Sequence, residues 1–222
     1  QLSKHIQTKK KDKILLIQNK ALELSLFLSL PASLALLIAS EEIISALFGY
    51  GSFDQVSAFN SGKALYFFAL GLPAFSLIKV FSSFFFANHD TKTPFYISLI
   101  SVLVNILISI YYFNVVGFII IPIATSISSW LNALLLFIFL KNRNLFYFHG
   151  VFLINLVKIV VASLLMGVFF NFLIIYFQKE LSFDQNLKSF YLILSVLLSL
   201  CFYLIVSYWI KAFKMSEFKL KY

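Results

Sequence analysis

Six apolar runs govern what this chain can become: Ala21–Ile38, Lys63–Ala87, Pro94–Val116, Phe118–Leu140, Val151–Phe177 and Ser189–Phe213. Each is about 18–27 residues long, and a helix needs roughly 20 to cross the hydrocarbon of a bilayer. No water is available there, so every backbone N–H and C=O must pair internally, which leaves helices or closed barrels. The alternation of outer-membrane strands is absent, so the runs are expected to be helices. The expected fold class is all-α, a polytopic membrane protein with six transmembrane helices. Composition agrees: 61% of residues are hydrophobic and 12% charged, against about 45–50% and about 25% in soluble domains. This excludes a disordered chain, a nucleic-acid-binding tail protein and an ordinary cytosolic enzyme.

The formal net charge is +9. No aromatic–basic interleaving accompanies it, so nucleic acid is not an expected partner. Basic residues in cytoplasmic loops account for such a charge in a membrane protein. Lys4, Lys9, Lys10, Lys11, Lys13, Lys20, Lys92, Lys141, Arg143, Lys211, Lys214, Lys219 and Lys221 fall on one side of the six runs. Lys63, Lys179 and Lys188 fall on the other. The asymmetry places both termini in the cytoplasm. The first connection, Glu41–Gly62, then faces outward, carrying Glu41, Glu42 and Asp54 and no Lys or Arg. Its Ile43, Ile44, Ala46, Leu47 and Phe48 predict a short amphipathic segment along the outer surface. Gly49 and Gly51 are expected to end it through positive φ. The short basic loop Lys141–Gly150 is a candidate hinge between two groups of helices. The polar opening at Gln1 carries no signal peptide pattern, and a start without Met is expected of a chain that begins partway through a longer frame or has been trimmed.

Chemistry-bearing sets are absent from the sequence. There is no nucleophile elbow, zincin motif, Walker loop or Cys pair. Cys201 lies inside an apolar run; His5, His89 and His149 fall in expected loops. Glu41 and Glu42 are neighbours and share no helix face. No enzyme activity, cofactor or metal is expected. Ionisable groups within spans carry more weight, because burying one costs several kcal/mol. Lys79 lies about eight residues from the cytoplasmic end of its span, roughly 12 Å. It is either a snorkelling side chain or a cation facing a polar cavity that holds an anionic substrate. Lys158 reads as snorkelling, and Glu23 as reaching the interface. Asn105 and Asn132 are amides near mid-span, for interhelical hydrogen bonds or substrate contact. Pro31, Pro73 and Pro122 each interrupt a span and are expected to kink it, for packing or around a cavity. The last two spans are the most uniformly apolar, with Phe169, Phe170, Phe202 and Tyr203, as suits a lipid-facing pair.

Three stretches stand in one order. They are Leu47-Phe48-Gly49-Tyr50-Gly51-Ser52-Phe53, then Ala69-Leu70-Gly71-Leu72-Pro73-Ala74-Phe75 leading through Lys79 to Asp90-Thr91-Lys92-Thr93-Pro94, then Ala124-Thr125-Ser126 through Trp130-Leu131-Asn132-Ala133-Leu134. Together they resemble the MurJ (MviN) lipid II flippases of the MOP transporter superfamily. The opening Gln1-Leu2-Ser3-Lys4 resembles the end of that family's eighth helix. The resemblance is best over residues 1–140.

The resemblance implies that the six spans are helices nine to fourteen, most of the C-terminal lobe of a fourteen-helix, MOP-type flippase. It implies a bacterial cytoplasmic (inner) membrane protein that moves undecaprenyl-linked peptidoglycan precursor outward by alternating access. The partners implied are lipid II, membrane lipids and the missing N-terminal helices, in cis or in trans. The division implied is a basic cytoplasmic segment (1–20), a four-helix part (21–140), a cytoplasmic loop (141–150), and the last two helices with a cytoplasmic tail (151–222). Lys79, Asn105 and Asn132 would line the substrate cavity. Asp90, Thr91, Thr93 and Pro94 would shape the cytoplasmic turn. Phe169, Phe170, Phe202 and Tyr203 would belong to a groove guiding the polyprenyl tail. The family's essential arginines lie in its first eight helices, and this chain has one Arg, the loop residue Arg143. Another MOP-type exporter of polyprenyl-linked sugars or small solutes, or a non-transporting scaffold remnant, remain the alternatives.

Overall fold

A computed structural model describes residues 2–212, with side chains from Lys13 onward. Among the described residues seven α-helices follow one another: α1 (Leu2–Ile38), α2 (Ser40–Phe48), α3 (Gln55–Ala87), α4 (Lys92–Val116), α5 (Ile120–Asn142), α6 (Gly150–Tyr176) and α7 (Lys188–Trp209). The stretches long and apolar enough to cross a membrane are Lys13–Ile38, Gln55–Ala87, Lys92–Asn142, Gly150–Tyr176 and Lys188–Trp209. The third, 51 residues long, is two helices: a 3-10 turn at Gly117–Ile119 folds α5 back along α4. Asn105 on α4 donates to Thr125 on α5 at 3.0 Å, and Asn132 on α5 to Ser98 on α4 at 3.4 Å. The two pairs share one antiparallel register. Six long helices therefore make this a multi-pass membrane protein, as the six apolar runs indicate.

The helix boundaries depart from the runs where polar residues are themselves good helix formers. α1 begins at Leu2 rather than near Ala21, because Lys, Gln and Leu without Gly or Pro sustain a helix. The expected amphipathic segment is α2, with Glu41 and Glu42 in its first turn. Those charges favour the positive end of the helix dipole. Its terminator corrects the expectation: Gly51 has φ +63, but Gly49 has φ −71. Gly49 is required by proximity instead, since a Cβ there would lie 2.5 Å from the Ser45 carbonyl and 2.8 Å from the Phe183 ring. Asp54 then caps α3, accepting from the Ser57 N–H at 2.8 Å.

Two buried clusters hold the bundle. One gathers Phe81, Phe84, Phe85, Ile97, Leu136, Leu140, Phe146 and Phe152 with Leu22 of α1. The other joins Phe27 of α1 and Ala46 of α2 to Ile159, Ala162, Met166 and Phe170 of α6 and Leu192 and Tyr203 of α7. The loop between α5 and α6 is tied down. Asn19 of α1 donates to the Tyr147 carbonyl at 3.0 Å and accepts from the His149 N–H at 3.1 Å. That clamp opposes a hinge at 141–150.

The prolines explain how the helices join. A proline inside a helix leaves the carbonyl four residues earlier without its partner. For Pro31 that carbonyl is Phe27, and the Tyr203 hydroxyl donates to it at 2.8 Å. For Pro73 it is Ala69, and the Ser33 hydroxyl donates to it at 2.6 Å. Beside it, the Trp130 indole N–H donates to the Leu70 carbonyl at 2.9 Å. Each break in a helix is thus the acceptor of a bond from another helix. Pro122 differs: it is the third residue of α5, in the first turn, where a missing N–H costs nothing. The expected break there is a helix start.

Tyr203→Phe should destabilise the fold by about 1–3 kcal/mol, since it strands a buried carbonyl. In a Pro31→Ala background the Phe27 carbonyl regains its helical N–H, and the same substitution should cost little. Thermal melts of the four proteins of this cycle check both statements.

Candidate functional site

The helix ends opposite α2 carry Lys92, Lys141, Arg143 and Lys211. There the turn after α3 is built by Asp90. Its carboxylate accepts from the Thr93 N–H at 3.0 Å and the Thr93 hydroxyl at 2.6 Å. It also pairs with Arg143 at the end of α5. These hydrogen bonds from Thr93, with the neighbouring Arg143 guanidinium, lower the Asp90 pKa to about 2. Thr93 and Pro94 are buried while Thr91 is exposed. His89, Asn144 and Lys211, at φ +58, +56 and +55, follow the ends of α3, α5 and α7. In each case the next residue's N–H returns to a carbonyl five residues back. This is the left-handed closure of helix C-termini. The turn residues expected together are therefore brought together, with Arg143 added by the fold.

Lys79 is exposed on α3, six residues beyond Pro73, with no ion-pair or hydrogen-bond partner among the described residues. Asn105 spends both amide hydrogens between helices, on Thr125 and, at 3.3 Å, on Ser128. Asn132 is buried, and its Oδ1 has no partner. Asn105 and Asn132 thus lie along one α4–α5 seam. Lys79 makes no hydrogen bond to that seam among the described residues.

The family model described as lipid II flippase MurJ matches residues 1–191. The chain belongs to this family. A probable lipid II flippase MurJ of Rhizobium tropici is 35% identical over 194 residues, 86% of this chain and 36% of that protein. One of Rickettsia prowazekii is 34% identical over 152 residues, 68% of this chain and 30% of that protein. A solved structure described as lipid II flippase MurJ in an inward closed conformation matches with TM-score 0.71 and 27% identity, over 90% of this chain and 39% of that one. The chain thus spans about a third of the length of the MurJ relatives it matches.

Within this MurJ-family chain the four aromatic residues of the last two helices divide. Phe169 and Phe202 stack across the α6–α7 seam with ring centroids 4.5 Å apart. Phe170 and Tyr203 are buried instead, in the cluster shared with α1, and Tyr203 lies 4.9 Å from Phe27. Phe170 and Tyr203 therefore serve packing here, because helical spacing turns adjacent residues about 100° apart. Lys158 reaches the Lys211 carbonyl at 3.4 Å, while Glu23, half-buried, accepts from Asn155 of α6 at 3.0 Å.

Two features lay outside the sequence reading. A cavity of about 480 Å³ at the α2 end is lined by Ser40, Glu41, Lys63, Tyr66 and Ile119 among others. Lys188, counted among the loop charges, is 2% exposed. No sequence pattern distinguishes a buried lysine at a helix start from a solvated one, and the sequence around it, Leu187-Lys188-Ser189, carries no signal.

The depressed Asp90 pKa means that its carboxylate stabilises the turn above the unfolded-state pKa of about 4. That contribution is lost as pH falls from about 4 through about 2. Asp90→Asn should flatten the melting temperature of the purified protein over this interval and lower it at pH 7. A pH series of melts on both proteins reads the effect.

Proposed function

We propose that this chain supplies helices nine to fourteen of a lipid II flippase, carrying undecaprenyl-linked peptidoglycan precursor from the cytoplasmic to the outer leaflet by alternating access. The observation that carries the reading is the family match across residues 1–191, joined to the expected Asp90–Thr93–Pro94 turn. The relatives' names speak of lipid II flippases. Helices one to eight, in cis or in trans, complete the transporter in this reading. Both termini and the Asp90 turn face the cytoplasm, as the distribution of Lys and Arg supports. The protein lies in the inner membrane, with a four-helix part at 21–140 and a groove pair at 151–222.

Physically, a pyrophosphate–sugar headgroup cannot enter hydrocarbon without losing its hydration. A flippase gives it a hydrated path while the tail remains in lipid. Lys79, exposed and unpaired here, is the cation offered to the pyrophosphate. Asn132, through its unpaired Oδ1, is an acceptor for headgroup N–H and O–H groups. Asn105 holds the α4–α5 wall. Phe169 and Phe202 are the groove residues for the tail, with Phe170 and Tyr203 behind them.

In the full-length protein, Lys79→Leu should reduce lipid II translocation in reconstituted vesicles by about tenfold or more, about 1.4 kcal/mol of headgroup interaction. Lys79→Arg should retain most of it. Equal rates for Lys79→Leu and the unmodified protein would remove Lys79 from the cavity. Absence of lipid II translocation by the unmodified full-length protein would remove the flippase reading itself.

A further inference from the structure

Lys188 is the most completely buried charged side chain among the described residues, at 2% exposure. An ionisable group in so dry a place calls for compensation. No carboxylate pairs with it among the described residues. Its Nζ donates to the Gly49 carbonyl at 2.7 Å and to the Phe183 carbonyl at 2.7 Å. It also sits 4.6 Å from the centre of the Tyr50 ring and 4.4 Å from that of Phe183. Two carbonyls and two ring faces thus form a cage for one cation. Gly49 is the C-cap of α2, so the cage stands at the negative end of that helix's dipole.

The surroundings are built to admit this contact. A Cβ on Gly49 would lie 2.9 Å from the Lys188 Nζ. The neighbouring Ser189 hydroxyl donates to the Ala46 carbonyl at 2.5 Å and lies 2.7 Å from the Tyr50 hydroxyl. On its far side α2 rests on α3, where a Cβ on Gly62 would come within 2.9 Å of the Glu41 Cα. The helix is therefore wedged between α3 and the start of α7.

We infer that Lys188 is a latch: it docks α2 onto α7, and through α2 ties the α6–α7 pair to α3 at the end of the bundle opposite the Asp90 turn. At the Asp90 end the Asn19 clamp on Tyr147 and His149 fixes the same pair to α1. Braced at both ends, the pair moves with the rest of these helices as one body. The inference stands on the cage and does not require the substrate to be lipid II.

The test reads undocking of α2 directly, in the full-length protein in lipid nanodiscs with Cys201 replaced by Ala. Ala46, 3% exposed, becomes a reporter as Ala46→Cys, labelled with a maleimide. Ser163→Cys on α6, where the serine is 1% exposed, reports on the remote core. Lys188→Met should accelerate labelling at position 46 by about tenfold or more, as expected when two hydrogen bonds to a charged group are lost, and leave position 163 slow. Gly49→Ala, which crowds the cage from the other side, should do the same should Lys188→Met fail to accumulate. Unchanged labelling at position 46 in the folded variants would overturn the latch. Equal acceleration at both positions would overturn it too, since Lys188 would then support the whole fold and not the docking of α2.

Discussion

The constraint on which this structure depends is that a carbonyl inside a bilayer must find a donor within the protein. Two prolines break that pairing inside α1 and α3. In water the orphaned carbonyls would be hydrated at little cost. In hydrocarbon they become obligations, and the fold meets them with side chains from other helices. Tyr203 of α7 serves the Phe27 carbonyl, and Ser33 of α1 serves Ala69. The prolines therefore dictate which helices must touch, and at what depth. Apolar side chains alone could not do so, because lipid tails solvate them as well as neighbouring helices do.

That distinction governs what could be read from the sequence. The six spans were legible because their length and apolarity are properties of contiguous residues. The Asp90-Thr91-Lys92-Thr93-Pro94 turn was legible only through the family resemblance carried by those contiguous residues; the capping of the Thr93 N–H by Asp90 came from the structure. The Tyr203–Phe27 and Ser33–Ala69 bonds were not legible, since each joins residues distant in the chain. The aromatic residues of the last two helices show the limit most clearly. Phe169 and Phe170 are adjacent and chemically identical, yet one stacks in a seam and the other is fully buried. In a helix apolar on every side, no polar face marks which direction is inward.

The outer surface supports the same view of a larger assembly. α4 exposes Leu107, Ile110, Tyr111 and Val115, the last at 82%. Exposed apolar area on this scale requires lipid or protein against it. A chain spanning about a third of its relatives' length has both to offer: lipid around it, and in the proposed flippase eight further helices. Lys79 is exposed within the same environment, so whatever faces it must supply water or an anion.

Lys79 and Lys188 solve the cost of a charge in opposite ways. Lys188 is enclosed by groups this chain provides, two carbonyls and two rings. Two of its three N–H groups are held by carbonyls and two aromatic rings face the ammonium, so the cage is closed by the protein itself. Lys79 has no such partners among the described residues, so its charge remains uncompensated until something external arrives. A transporter needs both kinds of residue. Binding groups must be left unsatisfied at rest, because affinity comes from interactions the empty protein does not already make. Bracing groups must be satisfied at rest, because a latch that also attracted the substrate would open when the substrate came. In the proposed flippase the division of these two lysines would meet that requirement, with recognition at α3 and rigidity at the junction of α2 with α7.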